Sequence, residues 1–352
     1  MTLGNRPISR STRGLGSSRT GYAFASPWLI GFFCLTLLPM IASMLLSFTE
    51  WNGINLWQLK WVGAANYEEA YTDPDVRTAL WNTFVYSFLA VPLGLVTSLF
   101  LAVLLNQKLK GITFFRTVFY MPHVIGGVAT IMMWMWVFNP DFGLLNSFLR
   151  GCSGVISSIG WSLGSWLGGL HSGWEWLDSA LAACAGACNE LGRWASAWEP
   201  PAWLYSARWS KPALIIMSLW GAGGSMLIFL AALQNVPEQL YEAAKIDGAG
   251  RWSQFAHVTL PQISPAIFFN LVMGIIGSFQ VFNEAYIMTN GDGGPSKSLL
   301  FYVLHLYNMA FRDFRMGYAS ALAWILFCII LVFTLLVIRS SRAWVYYEGE
   351  KQ

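Results

Sequence analysis

Charge is scarce in this chain. Asp, Glu, Lys and Arg make up 11% of its 352 residues, against about 25% in an ordinary soluble domain. A soluble protein of this length would need more charge to cover its surface, and a disordered chain would carry far less hydrophobic matter. A net charge of +3 gives no broad basic surface for nucleic acid. Metal signatures are missing too: there is no H-E-x-x-H and no paired C-x-x-C. So is a Walker A loop; the nearest approach, Gly291-Asp-Gly-Gly-Pro-Ser-Lys-Ser298, has Ser296 where the second glycine belongs. Gly160-Trp-Ser162-Leu-Gly164 formally fits a hydrolase elbow. That motif needs a strand–turn–helix setting with Asp and His partners, and only His171 is near. What the chain does have is 55% hydrophobic residues, 19 Trp and 13 Tyr, with a mean hydropathy of +0.49. The aromatic excess suits a membrane interface, where amphipathic rings sit at headgroup level.

Six apolar runs are long enough to cross a bilayer, roughly 24–48, 81–105, 117–138, 212–233, 263–288 and 317–338. The expected fold is therefore all-α and polytopic, with six transmembrane helices. The first run has no small-residue cleavage site after a short core and reads as a retained helix. Six spans place both termini on one side. Segments 1–23, 106–116, 234–262 and 339–352 hold 12 Lys/Arg in 77 residues; the opposite segments hold 9 in 133. Arg6, Arg10, Arg13, Arg19, Lys108, Lys110 and Arg116 contribute most clearly. The positive-inside rule makes both termini cytoplasmic, with tails at 1–22 and 339–352 and a first helix plus external loop over 23–76.

The loop of about 235–261 differs from a simple connector. Asn235 is a good N-cap and Pro237 suits a first turn. Leu240, Ala243, Ala244 and Asp247 follow helical spacing, and Gly248 suits the position just past a helix end. Ser253 could cap a second short helix, stopped before Pro261. The residues alone fit a helix–turn–helix with Glu242 exposed, which could equally be an ordinary amphipathic connector.

Glu242-Ala243-Ala244-x-x-x-Gly248, followed by Val258-x-Leu260-Pro261, resembles the signature loop of the permease subunits of ABC importers. The fuller form, with Asp247-Gly248-Ala249 and an upstream Ala231-Ala-Leu-Gln-Asn-Val-Pro237, is similar to the carbohydrate-uptake branch. So are Phe114-Phe-Arg-Thr, Tyr120-Met-Pro, Phe138-Asn-Pro-Asp-Phe-Gly-Leu-Leu145 and Gly317-Tyr-Ala-Ser-Ala-Leu-Ala-Trp324. The resemblance covers about 20–150 and 210–345, and it implies a transmembrane domain over 77–338. It also implies a sugar importer in a bacterial or archaeal cytoplasmic membrane. The partners would be a second, related permease, two ATPase subunits and an external solute-binding protein. ATP and Mg would be used by the ATPases, with no cofactor bound here. The loop would dock in a cleft on an ATPase and transmit its closure.

Importers of this kind bind substrate between helices near mid-membrane, so polar groups inside spans are candidates. In the fifth run Asn270, Gly274, Gly277, Gln280 and Glu284 recur at helical spacing, with Asn283 beside them. Glu284 is the only carboxylate in the six runs. It either lines a cavity or snorkels to the nearby external end. Trp220, Ser225, Tyr318, Ser320 and Trp324 could stack on or hydrogen-bond a sugar, or simply pack. His123 reads as a satisfied interhelical group. An external insert occupies about 150–210. Within it Trp174, Leu177, Leu181, Cys184, Cys188, Leu191, Ala195 and Trp198 form an apolar stripe, and Val155, Ile159, Trp166 and Leu170 form a shorter one. Together they suggest a helical hairpin that either packs as a cap or docks a partner. Cys152 could bridge Cys184 or Cys188. The rival function is an ion-coupled secondary transporter, which would require coupling-ion sites or inverted repeats.

Overall fold

The computed structural model describes residues 17–107, 110–170 and 174–346. Arg6, Arg10, Arg13, Lys108 and His171 lie outside the described residues. The chain is helical nearly throughout and divides into two compact units, one of residues up to 70 with 309–324, the other of 71–308 with 325 onward.

In the smaller unit, α1 (Ser17–Phe32) continues through a π-helical turn, Phe33–Leu37, into α2 (Leu38–Leu46). The wider turn lies just ahead of Pro39, which has no N–H for the helical ladder. Helix begins at Ser17, ahead of the candidate span Phe24–Leu46. No residue of the span Phe24–Leu46 is buried. Two short strands, β1 (Thr49–Glu50) and β2 (Lys60–Trp61), pair antiparallel with Thr49 opposite Trp61. Asn66, on α3 (Ala65–Thr72), donates from Nδ2 to the carbonyls of Ser47 and Thr49 at 2.8 and 2.9 Å. Arg315 pairs with Glu69 at 2.6 Å and lies 4.5 Å over the ring of Tyr318.

The larger unit is built on α4 (Pro74–Leu105), 32 residues and so about 48 Å long. Asp73 caps it, accepting from the Asp75 N–H at 2.8 Å, and Pro74 supplies the pre-set φ of a first turn. Near this end Asn82 donates to the carbonyls of Lys297 and Leu300 at 2.8 and 3.0 Å. Thr83 accepts from the Tyr302 N–H, and Lys297 reaches Asp75 at 2.5 Å. The loop of 290–301 is thus tied to α4.

The expected third and fourth spans are not straight helices. α5 (Ile112–Val124) and α6 (Gly127–Val137) meet at 98°, with Pro122 and the Gly126-Gly127 pair at the break. α9 (Ser210–Trp220) and α10 (Gly223–Gln234) meet at 46° across Gly221-Ala222. Among the described residues four helices are long and apolar enough to cross a membrane, and up to six if each bent pair is one span. The fifth run is also interrupted: α13 (Leu260–Phe279) ends before Gln280, and α14 (Asn283–Thr289) restarts after a non-helical step at Phe282. α15 (Tyr302–Tyr307) precedes α16 (Met316–Ser341), the sixth run.

The hairpin exists. Its arms, α7 (Leu144–Gly168) and α8 (Glu175–Ala197), pack on each other, and the first arm begins before the expected boundary at 150. The stripe that joins them overlaps the expected one only in part, with Ala195 buried and Leu177, Leu181 and Cys188 half-buried. Cys184, Leu191 and Trp174 are exposed, whereas Ala185, Gly192 and Ala195 are buried. The arms meet so closely that a Cβ at Gly160 would lie 2.8 Å from the backbone nitrogen of Gly192. Gly164 likewise has only Asn189 where a side chain would go. Small residues win because close backbone approach needs them. Gly160-Trp-Ser-Leu-Gly164 is thus a helix-packing motif, without the strand–turn context of a hydrolase elbow. All five cysteines are free thiols.

Candidate functional site

α11 (Glu238–Ile246) and α12 (Arg251–Gln254) form the expected helix–turn–helix. Its turn is built on Gly248, at φ +80°. The Gly248 N–H donates to the Lys245 carbonyl at 3.1 Å, and the Ala249 N–H to the Ala244 carbonyl at 2.9 Å. These two bonds make a complete Schellman cap, which requires a left-handed residue at its centre. Glu238 in the first turn and Lys245 in the last complement the helix dipole.

Three expectations about caps need correction. Asn235 closes α10, while Pro237 occupies the N-cap position of α11. Gly250 precedes α12, so Ser253 lies inside that helix. The second helix also does not stop before Pro261. A π-helical turn, Phe255–Thr259, carries the chain into α13, with Pro261 in its first turn, where a missing N–H costs little.

The root of this element is anchored and its tip is presented. Tyr241 bonds Thr259 hydroxyl to hydroxyl at 2.9 Å. With Val258 and Leu260 it packs on a core of Ala102, Leu105, Leu233 and Ile263. Glu242, Ala243, Asp247 and Gly248 are exposed and Ala244 half-buried. Glu242 makes no hydrogen bond or ion pair among the described residues. Ile246 and Trp252 are 87% and 80% exposed. The capped element therefore offers the carboxylates of Glu242 and Asp247, small residues and two large apolar side chains to whatever meets it.

A second feature lies at mid-length of α4. A cleft of about 230 Å³ is walled by α4, the α9–α10 bend and α13, with Tyr86, Ser98, Ser218, Ser225, Asn270 and Ser278 as its polar lining. Tyr86 and Ser218 face each other across this lining, and the Ser218 hydroxyl donates to the Ile215 carbonyl at 2.7 Å. Ser98 donates to the Ala222 carbonyl at 3.1 Å, at the bend. Asn270 is buried, with its amide on the Ala266 carbonyl at 2.9 Å.

Of the candidates read from sequence, Ser225, Asn270, Gly274 and Gly277 line this cleft together. The continuous face through Gln280 to Glu284 does not exist, because α13 ends at Phe279. Gln280 is its exposed C-cap, and Asn283 and Glu284 open α14, exposed and half-buried respectively. Trp220 packs edge-on against Trp134 at 5.8 Å, and the His123 ring rests on Gly224. In the smaller unit, Trp324 donates to Ser43 Oγ at 3.1 Å, Tyr318 is buried under Arg315, and Ser320 is half-buried. Sequence reasoning missed Tyr86, Ser98, Ser218 and Ser278. The rule that singled out polar residues in the fifth run, applied to the second and fourth, would have found the first three.

Residues 79–344 match the family described as Binding-protein-dependent transport system inner membrane component. The chain is 40% identical over 346 residues to the probable ABC transporter permease protein YesP of Bacillus subtilis (strain 168), covering 98% of this chain and 96% of that protein. It is 30% identical over 325 residues to the lactose transport system permease protein LacF of Rhizobium radiobacter, covering 92% and 94%. A chain of the bacterial alginate ABC transporter, solved in complex with an alginate pentasaccharide-bound periplasmic protein, has the same fold. Its TM-score is 0.69 at 22% identity, covering 92% of this chain and 94% of that one.

Proposed function

Since the chain belongs to the family of binding-protein-dependent transport system inner membrane components, we propose that it is one permease subunit of a sugar importer driven by ATP hydrolysis in separate ATPase subunits. The observation that carries the mechanism is the Schellman-capped α11. A short helix, locked at its end and rooted in the core by Tyr241, passes on rigid-body motion where a flexible loop would absorb it. Glu242 meets a basic group of the ATPase cleft, Ala243 and Ala244 allow close approach, and Leu260 and Pro261 hold the second half of the element on α13.

On this reading the α11 side is cytoplasmic, six spans place both termini there, and the hairpin α7–α8 is external. The protein sits in a bacterial or archaeal cytoplasmic membrane. A second related permease, two ATPases using ATP and Mg, and an external binding protein complete the complex. The transported solute is a sugar or short oligosaccharide, as the names of LacF and the alginate structure suggest for their own systems. The serine, tyrosine and amide lining of the cleft suits hydroxyl groups, and no basic residue lines it to attract an anion.

The test is purification of the complex from its own membrane, followed by uptake in proteoliposomes with trapped ATP. An ATPase that accompanies the wild-type chain but is lost on Glu242→Ala with Gly248→Pro supports the reading. Uptake that survives without ATP and collapses with the ion gradient refutes it in favour of a secondary transporter.

A further inference from the structure

A cleft of about 810 Å³ in the larger unit plays no part in this mechanism. Arg77, Trp81, Phe84, Phe279, Ile329 and Phe333 line it. Its wall is aromatic: Trp81 stacks on Phe84 at 6.4 Å, and Phe333 meets Phe84 at 6.1 Å and Phe279 at 5.4 Å. Arg77 stands at one end. It is exposed, and no hydrogen bond or ion pair engages its guanidinium among the described residues. The carboxylates nearest in sequence are occupied, Asp73 in capping α4 and Asp75 with Lys297. Arg77, Trp81 and Phe84 recur at spacings of four and three, so they share one face of α4. Tyr86 of the polar cleft lies about half a turn round.

Depth along α4 agrees with a bilayer. Leu105 packs in the core beneath the coupling element. At about 1.5 Å per residue Arg77 is about 42 Å further on, the thickness of a bilayer with its headgroups. Trp81 falls about 6 Å and Phe84 about 10 Å inside that level. A cation at headgroup height, an aromatic just below it and an apolar crevice beneath match a lipid in charge and in polarity.

We infer that the cleft is a binding site for an anionic phospholipid of the leaflet remote from the coupling element. Its phosphate lies on Arg77 and an acyl chain lies between Phe84, Phe279 and Phe333. The occupant bridges α4, α16 and the end of α13 just before the break at Gln280. The assignment of the leaflet rests on the importer reading; the site itself does not.

Native mass spectrometry tests this on the protein with whatever subunits accompany it from its membrane. It is titrated with phosphatidylglycerol and with phosphatidylcholine of the same chains. The wild type should retain phosphatidylglycerol preferentially, and Arg77→Gln should weaken that retention about fivefold and abolish the preference. Ile329→Trp, which fills the crevice, should reduce retention of both lipids. Equal retention of phosphatidylglycerol by wild type and Arg77→Gln would overturn the proposal. So would an Ile329→Trp protein that keeps its lipid but loses a second permease, since the cleft would then be a subunit interface. Lipid retention is read without transport, so a failed uptake assay leaves this outcome standing.

Discussion

Replacing Gly248 isolates the coupling element because nothing surrounds it. A Cβ placed there meets no atom within 4 Å, so any effect comes from the backbone alone. The residue holds φ at +80°, where an ordinary L-residue costs about 1–2 kcal/mol. Gly248→Ala should thus lower the population of the capped turn about 5–30-fold relative to its frayed alternatives. Gly248→Pro is worse. It fixes φ near −65° and deletes the N–H that reaches the Lys245 carbonyl. The last turn of α11, which carries Ala244 and Ile246, then loses both Schellman bonds. The core beneath, around Leu105 and Ile263, is untouched, so global stability should change by less than about 1 kcal/mol. The assay is the ratio of sugar taken up to ATP hydrolysed in proteoliposomes with saturating binding protein, alongside a thermal melt. The expected order is wild type, then Gly248→Ala, then Gly248→Pro, the last near zero uptake with an unchanged melt. A Gly248→Pro protein with the wild-type ratio would refute both the cap and its role.

Other consequences are equally direct. Tyr241→Phe removes the bond to Thr259 and should cost about 1 kcal/mol of local stability, seen as faster amide exchange across 238–249. Asn82→Ala leaves the carbonyls of Lys297 and Leu300 without their donor and should cost about 2–3 kcal/mol, measured as a drop in melting temperature. Gln280→Ala with Asn283→Ala, both exposed and outside the cleft lining, should leave uptake kinetics and assembly unchanged; loss of uptake would return both to the pathway. Deleting 151–200 takes out most of the hairpin. Loss of transport with normal assembly would make it a docking element, and unchanged transport a passive cap.

What the sequence made legible follows from where each signal originates. Apolar length favours helix without help from neighbours, so all six runs are mostly helical. Bends are different. Pro92 is carried inside α4 without a break, whereas Pro122 stands beside one, and proline alone does not separate the cases. The break at Gln280 has no Gly or Pro at 280–282, so local chemistry never announced it. Gly248 was legible because only its conformation matters. Asn235 was misread because the same residue type serves at either end of a helix, and here it closes α10 before α11 has begun. In the hairpin, periodicity pointed to the most apolar stripe of α8. The contact keeps Ala195 of that stripe but adds the small Ala185 and Gly192 beside it, which leaves Trp174 and Leu191 facing outward.

α4 then explains why the coupling element and the polar cleft belong to one device. Ala102 and Leu105 sit in the core that roots Tyr241 and Leu260. About one to four turns further on, Ser98, Ala90 and Tyr86 form one wall of the cleft. At the far end Asn82 and Asp75 hold the loop of 290–301. The Lys297 of the Walker-like stretch is committed to that tie, so the loop works as a fastening and not as a phosphate cradle. A helix pinned at both ends moves as a body or not at all. Under the proposed function, a displacement of α11 therefore reaches the cleft through α4. The opposing walls give way where they are already broken, at the 46° bend between α9 and α10 and at Gln280 beyond α13.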